Sequence, residues 1–166
     1  MRHIIATGFG LALLTGLTGT YVSRQQAVAQ TASPTGLVVK ASPYSVEETE
    51  TRFKQVLEAR GLNLFATVDH AQNATGAGLE LRPTRVVIFG NPRLGTPLMQ
   101  CQQSMAIDLP QKVLIWEDEQ GQVQLAYNDP QYLGGRHRLD GCGVEVLKTV
   151  SGALNNLTDG ALAGPG

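Results

Sequence analysis

Aromatic side chains are scarce in this chain, at 5% of 166 residues, and its basic residues never cluster. Lys40, Arg52, Lys54, Arg82, Arg85, Arg93 and Lys112 are scattered along it. Nucleic-acid binding rests on grouped cations that displace counterions, or on rings that stack against bases, so no nucleic-acid partner is expected. The formal charge is −1 and the pI near 6.3. Cysteine is rare too: Cys101 and Cys142 make no disulfide framework, and no C-x-x-C or H-x-x-x-H spacing signals zinc. The G-x-S-x-G elbow of serine hydrolases is missing, as are the G-x-G-x-x-G and G-K-[ST] phosphate loops.

What is present fits one domain. A hydrophobic fraction of 42% supplies one core for a chain of 166 residues. Met1-Arg2-His3 is a short basic start, residues 4–22 carry no charge, and Ala27-Val28-Ala29 reads as a cleavage site. That layout is a secretory signal peptide. The alternative is a retained anchor, because an uncharged stretch of that length could just span a bilayer. The expected organisation is a signal peptide at 1–29, a linker at 30–36, a single α+β domain at 37–157 and a flexible tail at 158–166. The mature protein is then exported, periplasmic or extracellular, and meets a membrane only if the leader is uncleaved. In an oxidising compartment Cys101 and Cys142 can pair, although spacing alone cannot show that they meet.

Periodicity sets the elements. Residues 37–41 read as a strand. Ser45 and Glu48 then form a capping box for a helix with Val46, Phe53, Val56 and Leu57 on one face, ended by Arg60-Gly61. Residues 62–68 alternate as a strand leading to Asp69-His70, and residues 71–78 are a loop or short helix. A buried strand at 86–89 runs into Gly90-Asn91-Pro92, and Thr96-Pro97 reads as the cap and first position of another helix. Residues 112–117 and 123–127 make a hairpin across Gly121. A short helix at 131–139, broken at Gly134-Gly135, precedes a final helix at about 142–157 with Leu147, Val150, Leu154 and Leu157 as its stripe. The order β-α-β-β-β-β-α, with a short helix after the third strand, predicts an α+β domain: a mainly antiparallel sheet with helices packed on one face.

Chemically distinctive side chains sit at element ends. His70 suits a metal ligand or a proton-transfer group, or simply bonds backbone and closes a strand. Met99 with His70 would form a soft metal site, whereas alone it is core filler. Cys101, two residues on, points about 200° away from Met99 on a helix. Asn91, Arg93 and Thr96 around a helix start could hold a carboxylate, sulfate or phosphate, or only cap the helix.

Several runs occur in a telling order: Asp69-His70, Gly78-Leu79-Glu80-Leu81, FGNPRLGTPLMQ at 89–100, Asp108-Leu109-Pro110 and YNDPQYL at 127–133. Together they resemble family 302 of the domains of unknown function, over roughly residues 36–139. The resemblance implies an α+β domain related in topology to the TATA-binding-protein half-fold, and homodimers. It implies no reaction. The combined expectation is an exported, dimeric module that binds a small molecule or soft metal ion, with His70, Asn91, Arg93, Thr96 and Met99 as ligand-binding residues and no cofactor specified. The alternatives are an enzyme using His70 as general acid or base, and a purely structural dimerisation module.

Overall fold

The computed structural model describes residues 35–164, so the signal peptide and most of the linker expected at the N-terminus lie outside the described residues. The elements run β1 (Leu37–Ala41), α1 (Val46–Ala59), β2 (Asn63–Asp69), α2 (His70–Gly76), β3 (Thr84–Gly90) and α3 (Pro92–Cys101). A 3-10 segment (Gln103–Ile107) follows, then β4 (Gln111–Glu117), β5 (Val123–Asn128), α4 (Pro130–Arg136) and α5 (Val144–Leu162). The strands form one sheet in the order β1-β5-β4-β3-β2, and every neighbouring pair is antiparallel. This is the α+β architecture read from the sequence, in the same element order.

Alternation decides which way the sheet faces. Val87 and Phe89 of β3, Val113 and Ile115 of β4, and Val123, Leu125 and Tyr127 of β5 are buried on one face. Val86, Ile88, Leu114 and Trp116 lie between them on the other face and stay partly exposed. Two amphipathic helices cover the inner face, α1 through Val46, Phe53 and Leu57 and α5 through Val150, Leu154, Leu157 and Ala161. Phe53 meets Phe89 edge-on, with ring centroids 5.1 Å apart. Each such side chain stabilises the fold by about 1.5–3 kcal/mol on burial. A smaller cluster of Leu98, Met105, Leu133, Leu139 and Leu147 joins α3, the 3-10 segment and α4 to α5.

Polar contacts tie the sheet to α1. Arg85 on β3 donates from Nη1 to Glu50 at 2.7 Å and from Nε to Asp69 at 3.0 Å, and Lys54 completes the pairing of Glu50. Burial pushes the Glu50 carboxyl up. The hydrogen bonds and charges of Lys54 and Arg85 outweigh it and hold the group below its ordinary value.

Two expectations change. The helix expected to open at Thr96-Pro97 opens five residues earlier. Asn91 is extended (φ −133°), its side chain accepts from the Arg93 N–H at 2.9 Å, and Pro92 takes the first helical position. Both dipeptides pair a capping residue with proline, and asparagine is the better cap. Thr96 and Pro97 therefore lie inside α3. The tail expected to be flexible from residue 158 continues α5 to Leu162, with Thr158 and Ala161 buried. Its glycines and alanines are small because α1 packs close: a Cβ on Gly160 would touch Val56 at 3.5 Å. Arg52 Nε donates to the Ala161 carbonyl at 2.8 Å, and Lys40 Nζ pairs with Asp159 at 2.6 Å.

Candidate functional site

The stretch between β3 and β4 leaves space behind it. The chain turns at Gly90, runs out along α3 and returns through the 3-10 segment to Leu109-Pro110. Between this excursion, the start of β2 and the side of α5 lies a cavity of about 330 Å³. Its walls are Leu62 and Phe65 near β2, Leu94, Leu98 and Met99 from α3, Leu109 and Pro110, and Val150, Ala153, Leu154 and Leu157 from α5. Phe65 sits at the register shift of β2 against β3 and is 53% exposed, which places an aromatic ring at the opening. A dry cavity of about 150 Å³ already accepts benzene. This one has room for a larger apolar body.

Few polar groups reach it: Asn91, Thr96 and Gln111. Thr96 is exposed, and Asn91 spends its side-chain oxygen on the Arg93 N–H. Gln111 differs. It opens β4 opposite Phe89 on the buried face and is 9% exposed; its amide makes no hydrogen bond to the described residues and keeps solvent contact, whereas the buried side-chain atom without a partner among them is Ser151 Oγ. An amide that keeps water beside an otherwise apolar cavity can exchange that water for the polar group of a ligand.

Of the residues singled out from sequence, Asn91, Thr96 and Met99 share this cavity, and His70 and Arg93 do not line it. His70 is the exposed first residue of α2. Its neighbour Asp69 caps that helix, accepting from the Gln72 N–H at 2.9 Å, and pairs with Arg85. The Gln72 N–H first, and the Arg85 charge after it, hold the Asp69 carboxyl below its ordinary value. The Asp69-His70 pair thus ends a strand and starts a helix. Met99 faces the cavity without His70, and among the described residues no three His, Cys, Asp or Glu side chains converge as a metal site. No helix among them is long and apolar enough to cross a membrane.

A second cluster flanks the excursion on its other side. Ser104 Oγ lies 2.9 Å from His137 Nδ1, and His137 Nε2 lies 2.6 Å from Asp108 Oδ2. Arg136 Nη1 donates to the other oxygen of Asp108 at 3.1 Å. His137 and Asp108 are 8% and 9% exposed. A disulfide joins Cys101 and Cys142, with Cα atoms 5.8 Å apart, and so ties the end of α3 to the segment after α4. Sequence reasoning missed Gln111 and this convergence. A glutamine at a strand start carries no distinctive signal, and residues 28 to 33 apart in the chain meet only through the fold.

Comparison with known proteins adds three findings. The chain is 41% identical over 128 residues to "Fluoride-specific ion channel FluC 1" of Brucella suis biovar 1 (strain 1330), a match covering 75% of this chain and 50% of that protein. The protein of the same name from Brucella abortus biovar 1 (strain 9-941) is also 41% identical over 128 residues, with 47% of its length covered. The chain therefore spans about half the length of the curated relatives it matches. Among solved structures, an uncharacterised conserved protein from Bacillus stearothermophilus superposes with a TM-score of 0.68 at 16% identity, covering 76% of this chain and 98% of that one. At that identity the likeness is one of fold. That protein carries the same family designation whose model matches residues 38–157 here, and the chain belongs to this family, the domain of unknown function DUF302.

Proposed function

We propose that the chain is an exported binding module whose cavity takes a small, neutral, amphipathic molecule. The observation that carries this reading is the apolar cavity with Gln111 on its wall: a nearly buried side chain whose amide makes no hydrogen bond to the described residues and keeps solvent contact, set among Phe65, Met99 and Leu154. A ligand with an apolar body and one hydroxyl, carbonyl or amide group would fill the cavity and satisfy Gln111 together. That added hydrogen bond would contribute about 1 kcal/mol, a several-fold gain over a purely apolar analogue. A soft-metal role at Met99 draws no support from this geometry.

Two further parts of the reading rest on separate features. The outer face of the sheet, with Val39 about half exposed and Val86, Ile88, Leu114 and Trp116 partly so, is a surface that a second copy would cover. Its charged residue, Lys112, already bonds the Asp108 and Pro110 carbonyls, so two such faces would meet with little repulsion. Export is supported by the layout of the first 29 residues and by a disulfide, which persists in oxidising compartments. Native mass spectrometry with a series of medium-chain alcohols and the corresponding alkanes tests the central reading. Alcohols retained above alkanes by wild type but not by Gln111→Leu support it, and no retention of either would sink it.

A second reading comes from the relatives. The matched segment is half of proteins named as fluoride-specific ion channels, and on that ground the domain would act in the same process. Deleting the gene should then lower growth in fluoride. Unchanged growth across a fluoride series would count against it.

A further inference from the structure

We infer that Ser104 is a nucleophile, activated by His137 and Asp108, that takes the acyl group of small esters. The three side chains form the relay such chemistry needs. The hydroxyl is on an exposed residue, and the imidazole and carboxylate behind it are buried. In the tautomer that satisfies both contacts, His137 Nε2–H donates to Asp108 Oδ2 at 2.6 Å and Nδ1 accepts from Ser104 Oγ–H at 2.9 Å. The nitrogens swap the roles they have in most such triads, but the chemistry needs only one nitrogen on each partner. Asp108 is a positioning residue, and Arg136 fixes its second oxygen at 3.1 Å.

The scaffold holds this arrangement in register. Ser104 follows Cys101 by three residues and Cys142 follows His137 by five, so the disulfide binds together the two segments that carry base and nucleophile. On a 3-10 turn, side chains three apart eclipse, which puts Ile107 on the face of Ser104. Ile107 is 72% exposed and gives an apolar rest for a short acyl group beside the hydroxyl. Ala106 of the same segment lines the cavity instead, so this site is separate from the one proposed for ligand binding.

The step balances without a cofactor. Ser104 Oγ bonds the ester carbonyl carbon while its proton passes to His137 Nδ1. The carbon–oxygen bond to the leaving group breaks, and the alcohol departs with that proton. Water then attacks the acyl-serine, again losing its proton through His137, and the carboxylic acid leaves as Ser104 Oγ regains a proton.

The test uses a fluorophosphonate probe, in which Oγ bonds phosphorus and fluoride leaves, together with p-nitrophenyl acetate hydrolysis. In the disulfide-intact protein the probe is expected on the Ser104 peptide by mass spectrometry, and ester turnover should exceed the buffer rate. Ser104→Ala, at an exposed position, should remove both with an unchanged circular dichroism spectrum. His137→Gln should slow labelling by about 100-fold, the lower range for loss of a general base. Labelling at another residue, no labelling, or Ser104→Ala turnover equal to wild type would each overturn the assignment.

Discussion

Replacing Gln111 with leucine should make this protein more stable. The side chain is 9% exposed among apolar neighbours and its amide makes no hydrogen bond to the described residues, so folding removes much of its water, though not all, and returns no protein partner. A fully buried, unsatisfied amide costs about 1–3 kcal/mol, and the solvent contact that the Gln111 amide keeps makes about 1 kcal/mol the upper bound. Leucine removes that cost and adds apolar contact with Phe89 and the cavity walls. With an unfolding entropy of about 2 cal/mol/K per residue over this domain, 1 kcal/mol corresponds to a rise of about 4 °C in Tm. Thermal unfolding of wild type and Gln111→Leu in the same buffer, followed by circular dichroism, reads this directly. Most substitutions at buried positions destabilise, so the direction is informative. A variant less stable than wild type by 1 kcal/mol or more would refute the reasoning, because it would mean that the amide is satisfied. A gain in stability joined to a loss of ligand preference is the pattern expected where a buried polar group is kept for function.

Other expectations follow from the same contacts. The disulfide closes a loop with a sequence separation of 41; on the chain-entropy model it contributes about 4 kcal/mol, so reduction should lower Tm by about 14 °C. Cys101→Ala/Cys142→Ala should match the reduced protein, and a shift of under 3 °C would remove the bridge from the account. The carboxyls of Glu50 and Asp69 lie below their ordinary values of 4.5 and 3.8 when folded. Their contribution is therefore complete above those values and is lost as pH falls through the lowered ones. Stability to urea should fall from about pH 5 downward, and Arg85→Leu should flatten that acid limb; an equally steep limb would place its source elsewhere. Val39→Lys on the outer sheet face should turn a dimer into a monomer by light scattering, and a monomeric wild type would discard the interface.

The sequence and the structure part at instructive places. The Ser45 helix cap, the face of Val46, Phe53 and Leu57, and the hairpin across Gly121 were legible because each is a local pattern with a local cause. The start of α3 was not, since Asn91-Pro92 and Thr96-Pro97 carry the same cap-and-proline signal and only the path of the chain chooses between them. The end of α5 was read as a fraying tail because small residues look the same whether they are free or packed against a neighbouring helix. Of the expected group His70, Asn91, Arg93, Thr96 and Met99, three line one cavity because one turn and one helix hold them, while His70 and Arg93 do not line it. Gln111 and the meeting of Ser104, Asp108 and His137 depend on tertiary contacts that no spacing encodes.

The cavity between α3, β2 and α5 should hold an apolar ligand. Titrating the purified domain with N-phenyl-1-naphthylamine and following its fluorescence tests this most directly. Ala153 lines the cavity from α5 and is only partly buried, so Ala153→Phe would fill the space without breaking the core. Saturable binding of one probe per chain in wild type, abolished in a folded Ala153→Phe, is the expected result. Linear, unsaturating fluorescence in wild type, or equal binding by Ala153→Phe, would contradict it.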